Sequence, residues 1–245
     1  MDIVGEVIAW LTDPAHWTGP NGIPTRMEEH VLMSGVSLLV GLAIALPLGL
    51  TIGHTGRWAG GVVAITNVGR AVPSVGILGI AFTLTLPLVA ALDLRNIGTP
   101  ATVIALIALA IPPIVLNAYT GIRDVDPDMV EAARGMGMRE RQVLRRIEWP
   151  LALPVILAGV RTASIQVIAT ATLGAILSTG GLGRYIVDGF ARQDEPMMVS
   201  GAILVMILAL TSEGLFALAQ RWAVSPGLRT GRAQHLPEPA PGFGI

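Results

Sequence analysis

The 245-residue sequence contains no cysteine and no lysine. The absence of cysteine excludes disulfide bonds, thiolate metal sites and cysteine nucleophiles. Charged residues are also scarce, at 13% of the chain, whereas soluble domains carry roughly 25%. Hydrophobic residues make up 52%, and the mean hydropathy is +0.66. This deficit of charge, together with long apolar runs, predicts an integral membrane protein.

Other absences narrow the function. The net charge of −1 gives no indication of a nucleic-acid partner. No GxxxxGK[ST] phosphate-binding loop occurs, so we expect the chain not to hydrolyse ATP. The four histidines have no metal-ligand spacing, and no nucleophile lies beside a base, so neither a metal site nor a catalytic residue is predicted. The histidines are His16, His30, His54 and His235.

Five apolar segments are long enough to cross a bilayer, which takes about 20 helical residues. The second is interrupted by Asn67, Arg70 and Pro73, and it fits either one bent helix or a shorter helix followed by a re-entrant piece. The predicted fold is therefore all-α and integral to the membrane, with five to six transmembrane helices. The five segments are residues 31–52, 59–91, 101–119, 151–177 and 197–222.

The chain divides into three parts. Residues 1–26 are expected to lie outside the cell, with an interfacial helix formed by apolar residues at helical spacing between Ile3 and Leu11. Residues 27–222 form the transmembrane domain, which includes a polar loop at 121–150 (the 121–150 loop) and a glycine-rich loop at 178–196. The Pro-, Gly- and Arg-rich tail, residues 223–245, is expected to be disordered in the cytoplasm.

The arginines predict the orientation, because cytoplasmic loops carry an excess of positive charge. Five spans place ten arginines on the side of the 121–150 loop and four on the other, so this loop and the C-terminus are expected in the cytoplasm. The ten are Arg57, Arg123, Arg134, Arg139, Arg141, Arg145, Arg146, Arg221, Arg229 and Arg232. The four are Arg26, Arg95, Arg184 and Arg192.

The 121–150 loop is predicted to form two short helices. Asp126 and Pro127 are typical of a helix start, and Gly135 and Gly137 are expected to end the first helix. The second helix is predicted from Met138 to Trp149, with Pro150 stopping it before the next span begins. Two helices joined by a glycine turn make a compact knob, suited to docking in a groove on a soluble partner. The alternative is a hairpin that only links two spans.

Charged side chains within spans are rare and indicate function. Arg70, Arg161 and Glu213 are predicted at similar depth, and we expect Glu213 to pair with Arg161 or Arg70. The alternative is that each arginine caps carbonyl groups or faces water alone. Six polar residues are candidates for a translocation pathway, although hydrogen bonding between helices would explain any single one. These are Asn67, Ser74, Asn117, Gln166, Thr170 and Thr172.

The 121–150 loop also carries a spaced motif that resembles the EAA signature of ABC-importer permeases, EAA-x3-G-x9-I-x-L-P. The one departure is Trp149, which stands where the family usually has leucine. The resemblance implies the transmembrane domain of a type I ABC importer, in which this loop forms coupling helices seated in a cleft of an ATPase subunit. The matching residues are Glu131, Ala132, Ala133, Gly137, Ile147 and Pro150.

Further stretches resemble the permeases of glycine betaine, choline, carnitine and proline uptake systems. The resemblance implies an osmoprotectant importer in the cell membrane, with ATP and Mg²⁺ bound by two partner ATPase subunits. It also implies a second permease copy or paralogue and an external binding protein. Another substrate (an amino acid or an oxyanion) and an ATP-independent channel or secondary transporter remain as alternatives. The stretches are residues 10–26, 67–79, 116–138 and 176–190.

Overall fold

The computed structural model describes residues 2–91 and 98–223, except the side chains of Val63, Ile65, Asn67, Val68, Arg70 and Leu88. The predicted tail therefore lies outside the described residues from position 224 onward. The described residues form helices that are joined by short turns. Its helices are α1 (Ile3–Thr12), α2 (Ile23–Thr55), α3 (Ala59–Ala71), α4 (Ser74–Ala91), α5 (Gly98–Arg123), α6 (Pro127–Gly135), α7 (Glu140–Val143), α8 (Trp149–Ala171), α9 (Gly183–Arg192) and α10 (Glu195–Ala223).

Five helical segments of the described chain are long and apolar enough to cross a membrane, which confirms the prediction of five spans. Segment 59–91 divides at Pro73 into α3 and α4. The 13 residues of α3 extend only about 20 Å, less than a hydrocarbon core about 30 Å thick, so no sixth span results. The five are Ile23–Thr55, Ser74–Ala91, Gly98–Arg123, Glu140–Leu177 and Glu195–Ala223.

The fourth span corrects the predicted role of Pro150. The helix does not stop there: α7 passes through a π-helical turn, Leu144–Glu148, directly into α8. In this turn the Trp149 N–H donates to the Leu144 carbonyl, five residues earlier. Pro150 then lies in the first turn of α8, where a missing N–H is tolerated. One continuous helical path therefore runs from Glu140 to Leu177.

The predicted glycine-rich loop at 178–196 is also corrected, because it contains the ten-residue helix α9. Tyr185 and Gly189, four residues apart, are both buried. The close fit of Gly201 of α10 against Tyr185 and Ile186 brings α9 onto α10. The high glycine content concealed this helix in the sequence, since glycine disfavours isolated helices.

Helix α5 lies at the centre of the bundle and packs against α2, α3, α4 and α8. Its contact with α2 follows a row of small residues on α2. An added Cβ at Gly41 would lie 2.9 Å from the Cβ of Ala110 of α5, and one at Gly49 would lie 2.5 Å from that of Ala118. Ala45, between them, is fully buried. The row lets the two backbones approach closely, as small residues do in membranes.

The two ends of the helical bundle are held by different polar contacts. At the loop end, His54 in the last turn of α2 contacts Glu148 in the π-helical turn. At the opposite end, the Gly181 N–H donates to Glu29 at 2.7 Å, and the Tyr185 hydroxyl donates to the Asn21 carbonyl at 2.6 Å. The N-terminal segment and α9 thus share one end, and the 121–150 loop occupies the other.

We predict that Gly49→Ala lowers the free energy of unfolding by about 1–3 kcal/mol, because the new methyl group forces α2 and α5 apart. The matched control is Gly35→Ala in the same helix, where an added Cβ meets nothing within 4 Å. The measurement is the denaturation midpoint of the detergent-solubilised protein. Equal midpoints for the two variants would contradict the close packing of α2 on α5.

Candidate functional site

The first half of the 121–150 loop forms as the sequence predicts. The Asp126 carboxylate accepts from the Asp128 N–H at 2.9 Å, and Pro127 is the first residue of α6. After α6, Gly137 has a φ of +82°, in the left-handed region that favours glycine. Ala133 is buried, whereas Glu131 and Ala132 are exposed. The glutamate of the motif therefore points away from the bundle's core.

Apolar side chains accompany this exposed glutamate. Met129 and Met136 are 47% and 76% exposed, although they lie in a polar segment. In the second half of the loop, Ile147 is half-buried and Pro150 is exposed. The loop therefore offers flexible apolar side chains next to a carboxylate, a combination suited to contact with another protein.

A chain of polar side-chain contacts holds the loop to the first span. Arg134 donates through Nε and Nη2 to the two carboxylate oxygens of Glu140, both at 3.0 Å. This bidentate hydrogen bond raises the pKa of Arg134 above its ordinary value. Glu140 Oε2 also lies 3.2 Å from Nε2 of His54, and His54 Nδ1 lies 2.6 Å from Glu148 Oε2. The four side chains join α6, α7 and the π-helical turn to α2.

A cavity of about 240 Å³ opens beside this chain of contacts. His54, Glu131, Arg134 and Glu148 line it, together with Arg123 from the end of α5. His54, Glu140 and Glu148 are site residues that no pattern in the sequence predicted. Two features of the sequence could have pointed to them: His54 is a lone histidine at the end of the first span, and Glu148 directly precedes an apolar segment. Neither feature belongs to a recognisable motif.

In the middle of the bundle, Arg161 of α8 and Glu213 of α10 form a salt bridge. Ser164 and Ser212 lie beside it, with their hydroxyl oxygens 2.6 Å apart. Glu213 Oε2 is buried and has no partner among the described residues. The Arg70 side chain lies outside the described residues, so only Arg161 is placed as the partner of Glu213.

The five candidate pathway residues whose side chains are described are spread over α4, α5, α8 and the turn that follows α8. Ser74 begins α4 and is half-buried, and the Asn117 amide donates to the Pro113 carbonyl of its own helix at 2.8 Å. Gln166 and Thr170 are half-buried on α8, and the Thr172 hydroxyl donates to the Ala169 carbonyl. The side chain of Asn67 lies outside the described residues. A pathway lined by these residues stays a prediction.

The opposite end contains a polar cavity of about 420 Å³. Trp10 borders it, stacked on His16 with ring centroids 4.0 Å apart and in edge contact with Tyr185 at 5.2 Å. Burial raises the pKa of the Tyr185 hydroxyl, which keeps its proton and donates to Asn21. Arg184 and Asp188 form a salt bridge on the same rim.

Comparison with known proteins gives one family and several relatives. The family model of the binding-protein-dependent transport system inner membrane component matches residues 45–225. The chain is 34% identical to the choline transport system permease protein OpuBB of Bacillus subtilis, over 83% of this chain and 89% of that protein. It is 38% identical to the carnitine transport permease protein OpuCD of Listeria monocytogenes, over 80% and 85%.

Solved structures agree on the fold. The MetNI methionine ABC transporter, in inward-facing conformations, matches with a TM-score of 0.70 at 23% identity, covering 81% of this chain and 94% of that chain. An amino acid ABC transporter solved with histidines matches with a TM-score of 0.62 at 19% identity, covering 91% and 99%. The helical arrangement is therefore that of a type I ABC importer transmembrane domain.

We predict that Glu213→Gln lowers the free energy of unfolding by about 1–3 kcal/mol, because it leaves Arg161 without its counter-charge inside the bundle. This is less than the roughly 3–5 kcal/mol of a fully buried pair, since Arg161 is partly exposed. The control is Ser212→Ala, which removes one neutral contact between helices, on average about 0.6 kcal/mol. Denaturant titration of the purified protein measures both, and equal losses would contradict a stabilising ion pair.

Proposed function

Because this chain belongs to the family of binding-protein-dependent transport system inner membrane components, and is an ABC importer permease related to osmoprotectant permeases, we propose that it forms the translocation pathway for a small osmoprotectant such as glycine betaine, choline, carnitine or proline. The chain is a multi-pass membrane protein and the non-catalytic subunit of its transporter. The geometry of the 121–150 loop is the observation that carries the mechanism.

In this mechanism a partner ATPase binds the 121–150 loop. Glu131 and the exposed Met129 and Met136 supply a charged and apolar contact surface, while Gly137 sets the angle between α6 and α7. ATP and Mg²⁺ are bound by the ATPase, since family permeases typically bind no cofactor. Movement of α7 then passes into the membrane along the continuous helix that ends at Leu177. The Arg161–Glu213 salt bridge transmits it to α10.

The arginine distribution supports an orientation for this mechanism. The loop end carries most of the arginines outside the spans, so it faces the cytoplasm by the positive-inside rule. Residues 1–26 then lie outside the cell, residues 27–222 form the permease domain, and residues 223–245 form a cytoplasmic tail. The ATPase docks on the cytoplasmic side, and an external binding protein delivers substrate to the opposite end.

A complete pathway needs a second permease copy, identical or homologous. The apolar faces of α4 and α10 are left largely uncovered by the chain's own helices, which leaves surface for that copy and for lipid. The six candidate pathway residues need no shared cavity within one chain if the pathway lies between two copies.

Cation–π contacts typically hold quaternary ammonium groups. The aromatic contacts among the described residues lie at the end of the bundle opposite the 121–150 loop. High-affinity recognition is therefore assigned to the binding protein.

We predict that Glu131→Ala and Gly137→Ala weaken association with the ATPase. The glycine change costs about 1–2 kcal/mol, because an L-residue at that φ is strained. The matched control is Gly135→Ala, where an added Cβ meets nothing within 4 Å and the φ is not positive. Co-purification of the ATPase with each variant is the measurement. Unchanged recovery with all three variants would contradict docking through this loop.

Transport in proteoliposomes tests the substrate. With ATPase and binding protein present, we expect ATP-dependent uptake of radiolabelled glycine betaine, choline, carnitine or proline. Methionine and phosphate serve as controls for the other substrate classes of importers. Uptake of either control alone would overturn the osmoprotectant assignment, and uptake without any ATPase would overturn the importer mechanism.

A further inference from the structure

The polar cavity at the end opposite the 121–150 loop (the far-end cavity) lies between two parts of the chain that are distant in the sequence. One wall comes from the N-terminal segment, and the other comes from α9 and the start of α10. Its volume of about 420 Å³ falls in the range of about 300–1,000 Å³ that is typical of small-molecule sites. The mechanism proposed for the 121–150 loop uses none of the residues that line it.

Hydrogen bonds between the two walls hold the cavity open. The Tyr185 hydroxyl of α9 donates to the Asn21 carbonyl at 2.6 Å. The Gly181 N–H, just before α9, donates to the Glu29 carboxylate at 2.7 Å. A ligand would therefore enter a cavity that is already formed, which lowers the entropic cost of binding.

Three aromatic rings meet at one side of the far-end cavity. The Trp10 ring stacks on the His16 ring, with the centroids 4.0 Å apart and the planes 17° apart. The Trp10 and Tyr185 rings meet at 77°, with their centroids 5.2 Å apart. The three rings thus form a corner with two nearly perpendicular aromatic walls. Aromatic rings arranged in this way bind quaternary ammonium groups, because a ring face attracts a cation.

Two of the arginines that line the cavity are already neutralised. Arg26 lies 2.8 Å from Glu29 Oε2, and Arg184 lies 2.8 Å from Asp188 Oδ1. These pairs leave the cavity without net charge from the four side chains. They also leave neither arginine as a strong attractant for an anion.

A further arginine and a further carboxylate, Arg192 and Asp194, line the same cavity. Neither forms a salt bridge among the described residues. Arg192 is exposed, so its guanidinium group is accessible to a ligand. Asp194 is fixed in position, because its Oδ1 accepts from the Met197 N–H at 3.0 Å. The cavity therefore offers one positive and one negative group that have no counter-charge of their own.

This combination favours a zwitterion over a ligand with a single charge. A guanidinium group binds a carboxylate strongly, since it can donate two parallel hydrogen bonds. The aromatic corner and Asp194 suit a cation that carries methyl groups. A cation without a carboxylate would leave Arg192 unmatched. An acidic side chain inserted by a partner protein would leave the aromatic corner and Asp194 unmatched.

We propose that the far-end cavity binds a small zwitterion in which a quaternary ammonium group and a carboxylate are combined, as they are in glycine betaine. Arg192 binds the carboxylate, and the corner formed by Trp10, His16 and Tyr185 receives the ammonium group. This inference rests on the proposed function, which supplies the substrate class and places this end outside the cell. The cavity then holds substrate that the binding protein has released, before the substrate enters the pathway.

The first test is equilibrium binding by the full chain in lipid nanodiscs, without ATPase or binding protein. Saturation-transfer NMR follows the methyl protons of three ligands of similar shape. Glycine betaine has both charges, choline lacks the carboxylate, and 3,3-dimethylbutanoate has a neutral tert-butyl group in place of the trimethylammonium. We expect glycine betaine to bind about tenfold more tightly than either of the others, because each of those lacks one of the two charged groups.

Variants assign each charge to its side chain. Arg192→Gln should weaken glycine betaine about tenfold and leave choline unchanged, since only the carboxylate contact is lost. Trp10→Leu should weaken both of these ligands and leave 3,3-dimethylbutanoate unchanged, whereas Trp10→Phe, which keeps a ring face, should retain most of the affinity. The matched controls are Arg57→Gln and Trp222→Leu, which change exposed residues far from this cavity.

Three results of this experiment would overturn the proposal. They are the absence of saturable glycine betaine binding by the wild-type chain, equal affinity for the three ligands, and control variants that weaken binding as much as Arg192→Gln and Trp10→Leu do.

The second test locates the bound ligand. Because the chain has no cysteine, Thr18→Cys on the cavity wall can be modified selectively with a maleimide. At about four times the Kd of glycine betaine, modification should slow about fivefold, since only the unoccupied cavity reacts. Thr55→Cys, at the other end of the first span, should react at an unchanged rate. Equal rates for Thr18→Cys with and without glycine betaine would place the ligand elsewhere and overturn the site.

Uptake by the reconstituted transporter keeps this inference separate from the proposed function. ATP-dependent glycine betaine uptake by a chain whose far-end cavity gives no protection of Thr18→Cys would overturn the site alone. Protection of Thr18→Cys in a transporter that takes up none of the proposed osmoprotectants would overturn the proposed function, while the cavity would still bind the zwitterion.

Discussion

The close approach of α2 and α5 is the constraint on which the rest of the structure depends. The row of small residues on α2 reaches its tightest point at Gly49 and ends at Gly53 against Ile122. Since α5 also packs against α3, α4 and α8, fixing α2 on α5 sets the position of most of the bundle. It also fixes the residue that follows Gly53, which is His54, and so the anchoring point of the 121–150 loop.

A second constraint is the absence of water in the membrane, which requires polar groups to find partners within the protein. Many threonine hydroxyls in the spans meet it locally by donating to a carbonyl four residues earlier, as Thr85 and Thr102 do. Charged groups cannot be satisfied that way, so Arg161 and Glu213 pair across helices. The same chemistry that stabilises the bundle therefore also links α8 to α10, along the route by which movement would spread.

The π-helical turn joins the fold to the mechanism. It lets one helix run from the polar loop into the membrane without a break at Pro150, and it directs Glu148 toward His54. A break at that proline would have separated the loop from the span. The continuous helix instead makes the loop an extension of the membrane domain, so that a force on α6 and α7 has a direct path into the bundle.

The sequence by itself determined the membrane class, the five spans and the start of α6 at Asp126, because hydrophobic length, spacing and capping are local properties. The EAA spacing likewise identified the family. Only the tertiary structure decided that α4 crosses the membrane while α3 adds no sixth span, that α9 is a helix, and that Arg161 partners Glu213. It alone brought His54, Glu140 and Glu148 together, since residues 54 and 148 are joined by helix packing and not by any pattern along the chain. Contacts of that range depend on how closely glycine lets two helices approach, which no local signal records.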